Sequence, residues 1–154
     1  MIPTVETLTR QHREVLGRLD ALEGELNGGR DADLGAFAGY LQADVVQHFA
    51  LEEDALFPVL ARHLSPTQGP LAVMNAEHAD FRDLLGRLAE AIATADAAQQ
   101  RQCAHDLIDL LRAHIAKEDQ VLFPMAMRLL SPAEQSEVDA RAAALAPSAC
   151  AKPV

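Results

Sequence analysis

Apolar residues recur along most of this chain at the three- and four-residue spacing that lays a stripe down one face of a helix. Val5, Leu8, His12, Val15, Leu19, Leu22 and Leu26 predict a first helix over about 4–26, with Thr4 as its N-cap. NGGRD at 27–31 is a turn, because Asn-Gly-Gly interrupts any regular element. A second helix is expected over about 32–63 with the stripe Leu34, Phe37, Leu41, Val45, His48, Glu52, Leu56 and Val59. After the linker SPTQGP (65–70), Leu71, Met74, His78, Phe81, Leu85, Leu88 and Ile92 predict a third helix over about 70–94. The fourth, over about 97–129, carries Leu107, Leu111, His114, Glu118, Val121 or Leu122, and Met125. A last short helix over 132–145 begins at Ser131 as N-cap with Pro132 in the first helical position. Long helices with short connections predict an all-α fold, an up-down-up-down antiparallel four-helix bundle with a short C-terminal helix. The bundle domain is expected over 1–146 and a flexible tail over 147–154.

Six members of these apolar stripes are not apolar. Each long helix carries one histidine, His12, His48, His78 and His114, and the second and fourth add Glu52 and Glu118 one turn later. The placement repeats: His12, His48 and Glu52 recur 66 positions on as His78, His114 and Glu118, and LFPVLARHLSP (56–66) lies over LFPMAMRLLSP (122–132) without a gap. The pattern reads as an internal duplication whose halves pack together. Pro58 and Pro124 fall inside helices, each six residues after a glutamate. Each removes a backbone hydrogen bond, so the same kink is expected in both halves.

Composition narrows the class. With 154 residues, 49% of them apolar, no Trp and one Tyr, the chain suits one domain of packed helices. A net charge of -10 argues against binding nucleic acid or an anionic membrane through net charge. Two cysteines, Cys103 and Cys150, make neither a disulfide framework nor a zinc pattern. MIPTVETLTRQHREVL lacks the features of a secretory signal, and no run approaches a membrane span, so a soluble cytoplasmic protein is expected.

The six polar residues then require an explanation. One of them alone could be a satisfied core histidine or an exposed side chain. All six together could not, because two unpaired carboxylates buried near each other cost several kcal/mol each, or must take up protons. A metal removes the difficulty, since neutral imidazole nitrogens bind cations and carboxylates can bridge two of them. Four His and two Glu are too many for a structural zinc with four ligands and suit a carboxylate-bridged pair, usually iron or manganese.

Ferritin-like bundles place Glu three residues before His. Here His precedes Glu by four, twice, each time followed by LFP, with single histidines on the other two helices. Over about residues 8 to 130 this pattern resembles the hemerythrin-like (HHE cation-binding) family. The resemblance implies two iron ions bridged by an oxo or hydroxo group, reacting with O2 and in some members with peroxide or NO. It also implies that His12 and His48 bind one iron, His78 and His114 the other, and Glu52 and Glu118 bridge them. Asp119 stands at the spacing of an alternative second bridge, and the symmetry with Glu52 favours Glu118. Met74 occupies the place of the fifth histidine of O2-carrying members, with Leu8 as its repeat mate. A thioether is a poor ligand for ferric iron, so Met74 is read as packing; reversible O2 carriage then loses ground to peroxide or NO chemistry.

Glu53 and Glu77 lie about 100° round their helices from the ligand face and are expected to face solvent unless a kink redirects them. Asp44, one turn before His48, is weighed as a hydrogen-bond partner of that imidazole or a solvated residue. His63 and His105 have no symmetry mates and read as surface residues. Tyr40, two turns before His48, is too far to be a ligand and reads as packing. Phe49, Phe57, Phe81 and Phe123 read as core that keeps water from the centre. The expected partner is a small diatomic ligand or peroxide. The function is that of a protein sensing, storing or scavenging O2, NO or iron, or of an enzyme with catalase-like or NO-reducing activity. A zinc-bound or empty site of structural role is the remaining alternative.

Overall fold

The structure, a computed structural model, describes residues 2–29 and 32–145; the tail over 147–154, Cys150, and Arg30 and Asp31 of the first turn lie outside the described residues. The described residues form five helices and no strand. Helix α1 is Pro3–Asn27. Helix α2 covers residues 34–60, α3 is Pro70–Ala93, and α4 covers residues 97–129. Helix α5 is Pro132–Leu145. Asp33 and Asp96 cap α2 and α4 by accepting the amides of Ala36 and Gln99. Ser131 and Glu134 close α5 with a reciprocal capping box, Glu134 N–H donating to Ser131 Oγ and Ser131 N–H to the Glu134 carboxylate.

Thr4 departs from expectation. It lies inside α1, whose N-cap is Ile2, and its amide and hydroxyl both donate to Asp139 Oδ1 at 3.0 and 2.6 Å. The threonine thus fastens α5 to the start of α1. Bidentate Arg62–Glu137 and His63–Glu134 pairs fasten the other flank. On the opposite side of the molecule, Arg112 of α4 holds Glu23 and Asp20 of α1.

The two internal prolines widen their helices instead of only bending them. A π-turn occupies Glu52–Leu56 in α2, closed by Phe57 N–H on the carbonyl of Glu52, and another occupies Glu118–Leu122 in α4, closed by Phe123 N–H on Glu118. The prolines that follow lack the N–H of the next α-helical bond and crowd the carbonyl four residues back, and the wider turn relieves both. A wider turn also takes more residues per revolution. In α4 the buried positions are therefore Leu122 and Ala126, while Val121 is exposed and Met125 only half-buried. A third π-turn at Leu41–Val45 has no counterpart 66 residues on.

The apolar interior falls into two clusters. One contains Leu19, Leu22, Leu41, Phe49, Phe81, Leu88, Leu107 and Leu111; the other contains Val5, Leu8, Leu56, Leu60, Leu71, Met74, Leu122 and Val138. Along each of α1 to α4 the polar stripe residues lie between the stretches that feed the two clusters. No helix of the described residues is long and apolar enough to cross a membrane.

Candidate metal centre

The polar layer between the clusters contains His12, His48, Glu52, His78, His114 and Glu118, none more than 5% exposed. They form two overlapping groups able to hold a metal ion, His12–His48–Glu52–Glu118 and Glu52–His78–His114–Glu118, whose nitrogen and oxygen atoms lie within 4.8 Å of one another. Both glutamates belong to both groups. Glu52 divides its oxygens, Oε1 standing 2.9 Å from His48 Nε2 and Oε2 3.0 Å from His78 Nε2. Glu118 Oε1 stands 3.1 Å from His12 Nε2 and 3.3 Å from His114 Nε2. The six sequence-predicted residues are thus brought together in one place.

Each imidazole is held from behind. His12 Nδ1 faces Asp119 Oδ1 at 2.7 Å, His48 Nδ1 faces Gln11 Oε1 at 2.7 Å, His78 Nδ1 faces Glu53 Oε2 at 2.7 Å, and His114 Nδ1 faces Glu77 Oε1 at 3.0 Å. All four partners are acceptors, so the single proton of each neutral ring belongs on Nδ1 and the lone pair of Nε2 points inward. Burial holds His48 down to about 3 and His78 down to about 4, which keeps both rings neutral. Burial acts the same way on His114, but the Glu118 and Glu77 carboxylates outweigh it and raise that ring.

Inward-pointing groups outnumber the protons available to them. His12 Nε2 and His48 Nε2 face each other at 3.2 Å, two lone pairs with nothing to share unless a proton or a cation joins them. Both oxygens of Glu52, Glu118 Oε2, His78 Nε2 and His114 Nε2 are buried without an aligned hydrogen-bond partner. Burial and the neighbouring Glu118 charge push Glu52 well above the carboxylate range. Burial opposes ionisation of Glu118 as well, yet His114 and His12 beside it hold its carboxyl below that range. Two ligand atoms about 2.1 Å from a common ion at right angles would be about 3.0 Å apart, which is the spacing found here. Neutral nitrogens and carboxylate oxygens at that spacing fit a pair of divalent or trivalent cations.

Aromatic rings close the layer. Phe49 lies flat on His78 with centroids 3.7 Å apart, Phe57 stacks on His78 at 5.5 Å, and Phe123 stacks on His12 at 5.4 Å. Met74 is buried in the adjoining apolar cluster, as is Leu8, which fits packing. Tyr40 packs against the other cluster beneath the Arg18 guanidinium, 4.6 Å from the ring centroid, and His63 pairs with Glu134.

For Glu53 and Glu77 the expectation is corrected, and for Asp119 and Asp44 the structure separates the alternatives weighed above. Glu53 and Glu77 are half-buried, and each accepts the Nδ1 proton of a buried histidine. Asp119 is the partner of His12, and Glu118 takes the inner place. Asp44 is exposed and Gln11 stands behind His48 instead. A signal for these four was present. They sit directly before the lone histidines and directly after the glutamates, and Gln11–Glu77 and Glu53–Asp119 keep the same 66-residue offset.

The family model described as hemerythrin HHE cation binding domain matches residues 4–126. Curated proteins named iron-sulfur cluster repair protein YtfE are also similar. The one from Enterobacter sp. (strain 638) is 32% identical over 103 residues, 61% of this chain and 47% of that protein. The one from Citrobacter koseri is 31% identical over 105 residues, again 61% and 47%, and the one from Escherichia coli O1:K1 / APEC is 33% identical over 98 residues, 56% and 44%. The chain spans about half the length of the curated relatives it matches. No solved structure matches it.

Proposed function

This chain belongs to the hemerythrin HHE cation-binding domain family, and on that premise we propose that it is a non-heme diiron protein that binds or reacts with O2, peroxide or NO. His12 and His48 would hold one iron, His78 and His114 the other, with Glu52 and Glu118 shared between them. The observation that carries this reading is Glu52, a buried carboxyl whose two unpartnered oxygens each stand beside a histidine of a different pair. When bound, a pair of irons supplies redox chemistry toward small oxidants that no side chain here could provide. The chain's own contribution is to orient the imidazoles through Gln11, Glu53, Glu77 and Asp119, and to exclude water with Phe49, Phe57 and Phe123. Alternation of the two apolar clusters along successive helices supports an up-down-up-down bundle over 1–146, and the π-turns 66 residues apart support an internal duplication.

The relatives' name supplies a second reading, that the domain serves in the repair of iron–sulfur clusters. The first test is metal analysis and the optical spectrum of protein purified with iron, before and after reduction and exposure to O2, peroxide and NO. Two irons per chain with oxo-to-iron charge-transfer bands in the near ultraviolet are expected, and one ion or none without such bands would overturn the reading. Sustained peroxide or NO consumption with the centre intact marks an enzyme, and an O2 adduct reversed by deoxygenation marks a carrier. Recovery of the absorbance of a damaged [4Fe–4S] protein on adding the loaded chain marks a repair role.

A further inference from the structure

The six inner residues repeat faithfully across the 66-residue offset, but the residues behind them do not. His114 Nδ1 donates to a carboxylate, Glu77, whereas its mate His48 donates to an amide, Gln11. The differences continue outward. Glu53 is gripped by the Arg82 guanidinium at 2.8 and 3.0 Å, and Glu77 is paired with Lys117. The offset mates of Arg82 and Lys117 are Leu16 and Leu51. Among the described residues Asp119 has no Arg or Lys partner, and its side chain is 35% exposed against 13% for Glu77.

We propose that the two ion positions are unequal, the His78–His114 position binding more tightly and filling first, and that Gln11 in place of a carboxylate makes the difference. The proposal rests on reading the core as a two-ion centre. Because Glu52 and Glu118 serve both positions and each position has two histidines, the inner groups cancel in the comparison, and what remains is the outer shell. A carboxylate accepting the Nδ1 proton makes the other nitrogen a stronger donor to a cation, and loss of such a partner lowers metal affinity about 10–100-fold. The His78–His114 position has two carboxylates behind it and the His12–His48 position has one. Arg82 and Lys117 oppose this through space, since cations repel cations. They lie on the far side of their carboxylates and are 44% and 45% exposed, so water screens them. Their larger effect is to fix Glu53 and Glu77 in the orientation that meets the imidazoles.

Stepwise addition of Co(II) to the metal-free full chain tests this, followed by calorimetry and by NMR of the paramagnetically shifted Nδ1–H signals, which need no activity. Two binding steps about 10–100-fold apart are expected, with the first equivalent giving its largest shifts, those carried through a coordinated ring, to the signals lost in His78→Ala and His114→Ala. Gln11→Glu should strengthen the second step about tenfold while leaving the first in place, and Glu77→Gln should weaken the first. Circular dichroism checks that each variant folds. Two equal steps in the unaltered chain, or a first equivalent that gives its largest shifts to the His12 and His48 signals, would overturn the inequality while keeping the two-ion centre. A Gln11→Glu chain with both steps unchanged would overturn the assigned cause. Binding of one Co(II) or none would overturn the two-ion reading itself.

Discussion

Glu52 buries both oxygens of its carboxyl with no donor aligned to either, so replacing it by methionine should stabilise the metal-free chain. Methionine is unbranched and adaptable, and it follows the course of the glutamate stem. Removing an unsatisfied buried polar group recovers about 1–3 kcal/mol. Burying the methionine contributes about 1.5–3 kcal/mol, and the strain of the slightly larger side chain takes back about 1–3 kcal/mol. The balance is a gain of about 2 kcal/mol, where a typical point substitution loses about 1. At about 2–4 °C per kcal/mol for a chain of this size, Tm should rise by about 4–8 °C. The unaltered chain should behave oppositely: with ions at about a hundred times Kd it should gain about 2.7 kcal/mol, a gain that Glu52→Met should lose. Thermal unfolding by circular dichroism, with chelator and with anaerobic ferrous iron, reads both effects. A Glu52→Met chain that melts lower than the unaltered one without metal, yet still gains stability from iron, would refute the reasoning.

Two further outcomes are expected. Helix α3 ends in a Schellman motif, Asp96 N–H on the Ala91 carbonyl and Ala95 N–H on Ile92, with Ala95 in the left-handed region at φ 55; Ala95→Gly should therefore raise stability by about 1 kcal/mol, seen as a higher Tm, and a lower Tm would contradict it. Arg62, and then Arg141, hold Glu137 down to about 2 from its ordinary 4.5, so the contribution to docking of α5 is complete above about pH 4.5 and is lost as the pH falls toward 2; amide exchange over 132–145 should accelerate across that window, and Arg62→Ala should shrink the acceleration.

The inner residues were legible because they break a strong pattern. A histidine or glutamate on an apolar stripe is conspicuous, and six at one repeat offset leave little room for coincidence. The outer residues were hidden because a stripe describes one helix at a time. Gln11 and Glu77 meet histidines of the following helices, and Glu53 and Asp119, beside the π-turns, reach histidines of other helices from the rim of the layer. The wider turn decides between the two positions expected in α4, Leu122 and not Val121, and buries Ala126 in place of Met125. The N-cap role of Thr4 failed for a different reason. Its amide and hydroxyl are claimed by Asp139, 135 residues away, a tertiary contact that local pattern does not carry. Of the helix starts, Ser131 was legible as an N-cap followed by Pro132, and its side chain does accept the Glu134 amide.

The seal around the polar layer has a kinetic consequence. With every inner residue 5% exposed or less and rings stacked over His12 and His78, an ion cannot meet its site while the helices stay packed. Loading and release must wait for a transient parting of the bundle. A chelator added in large excess would then strip the protein at a rate independent of its own concentration, because the limiting event is a fluctuation of the chain. How long the centre persists becomes a property of helix packing far from it, including the ties that hold α5 to α1 and α2.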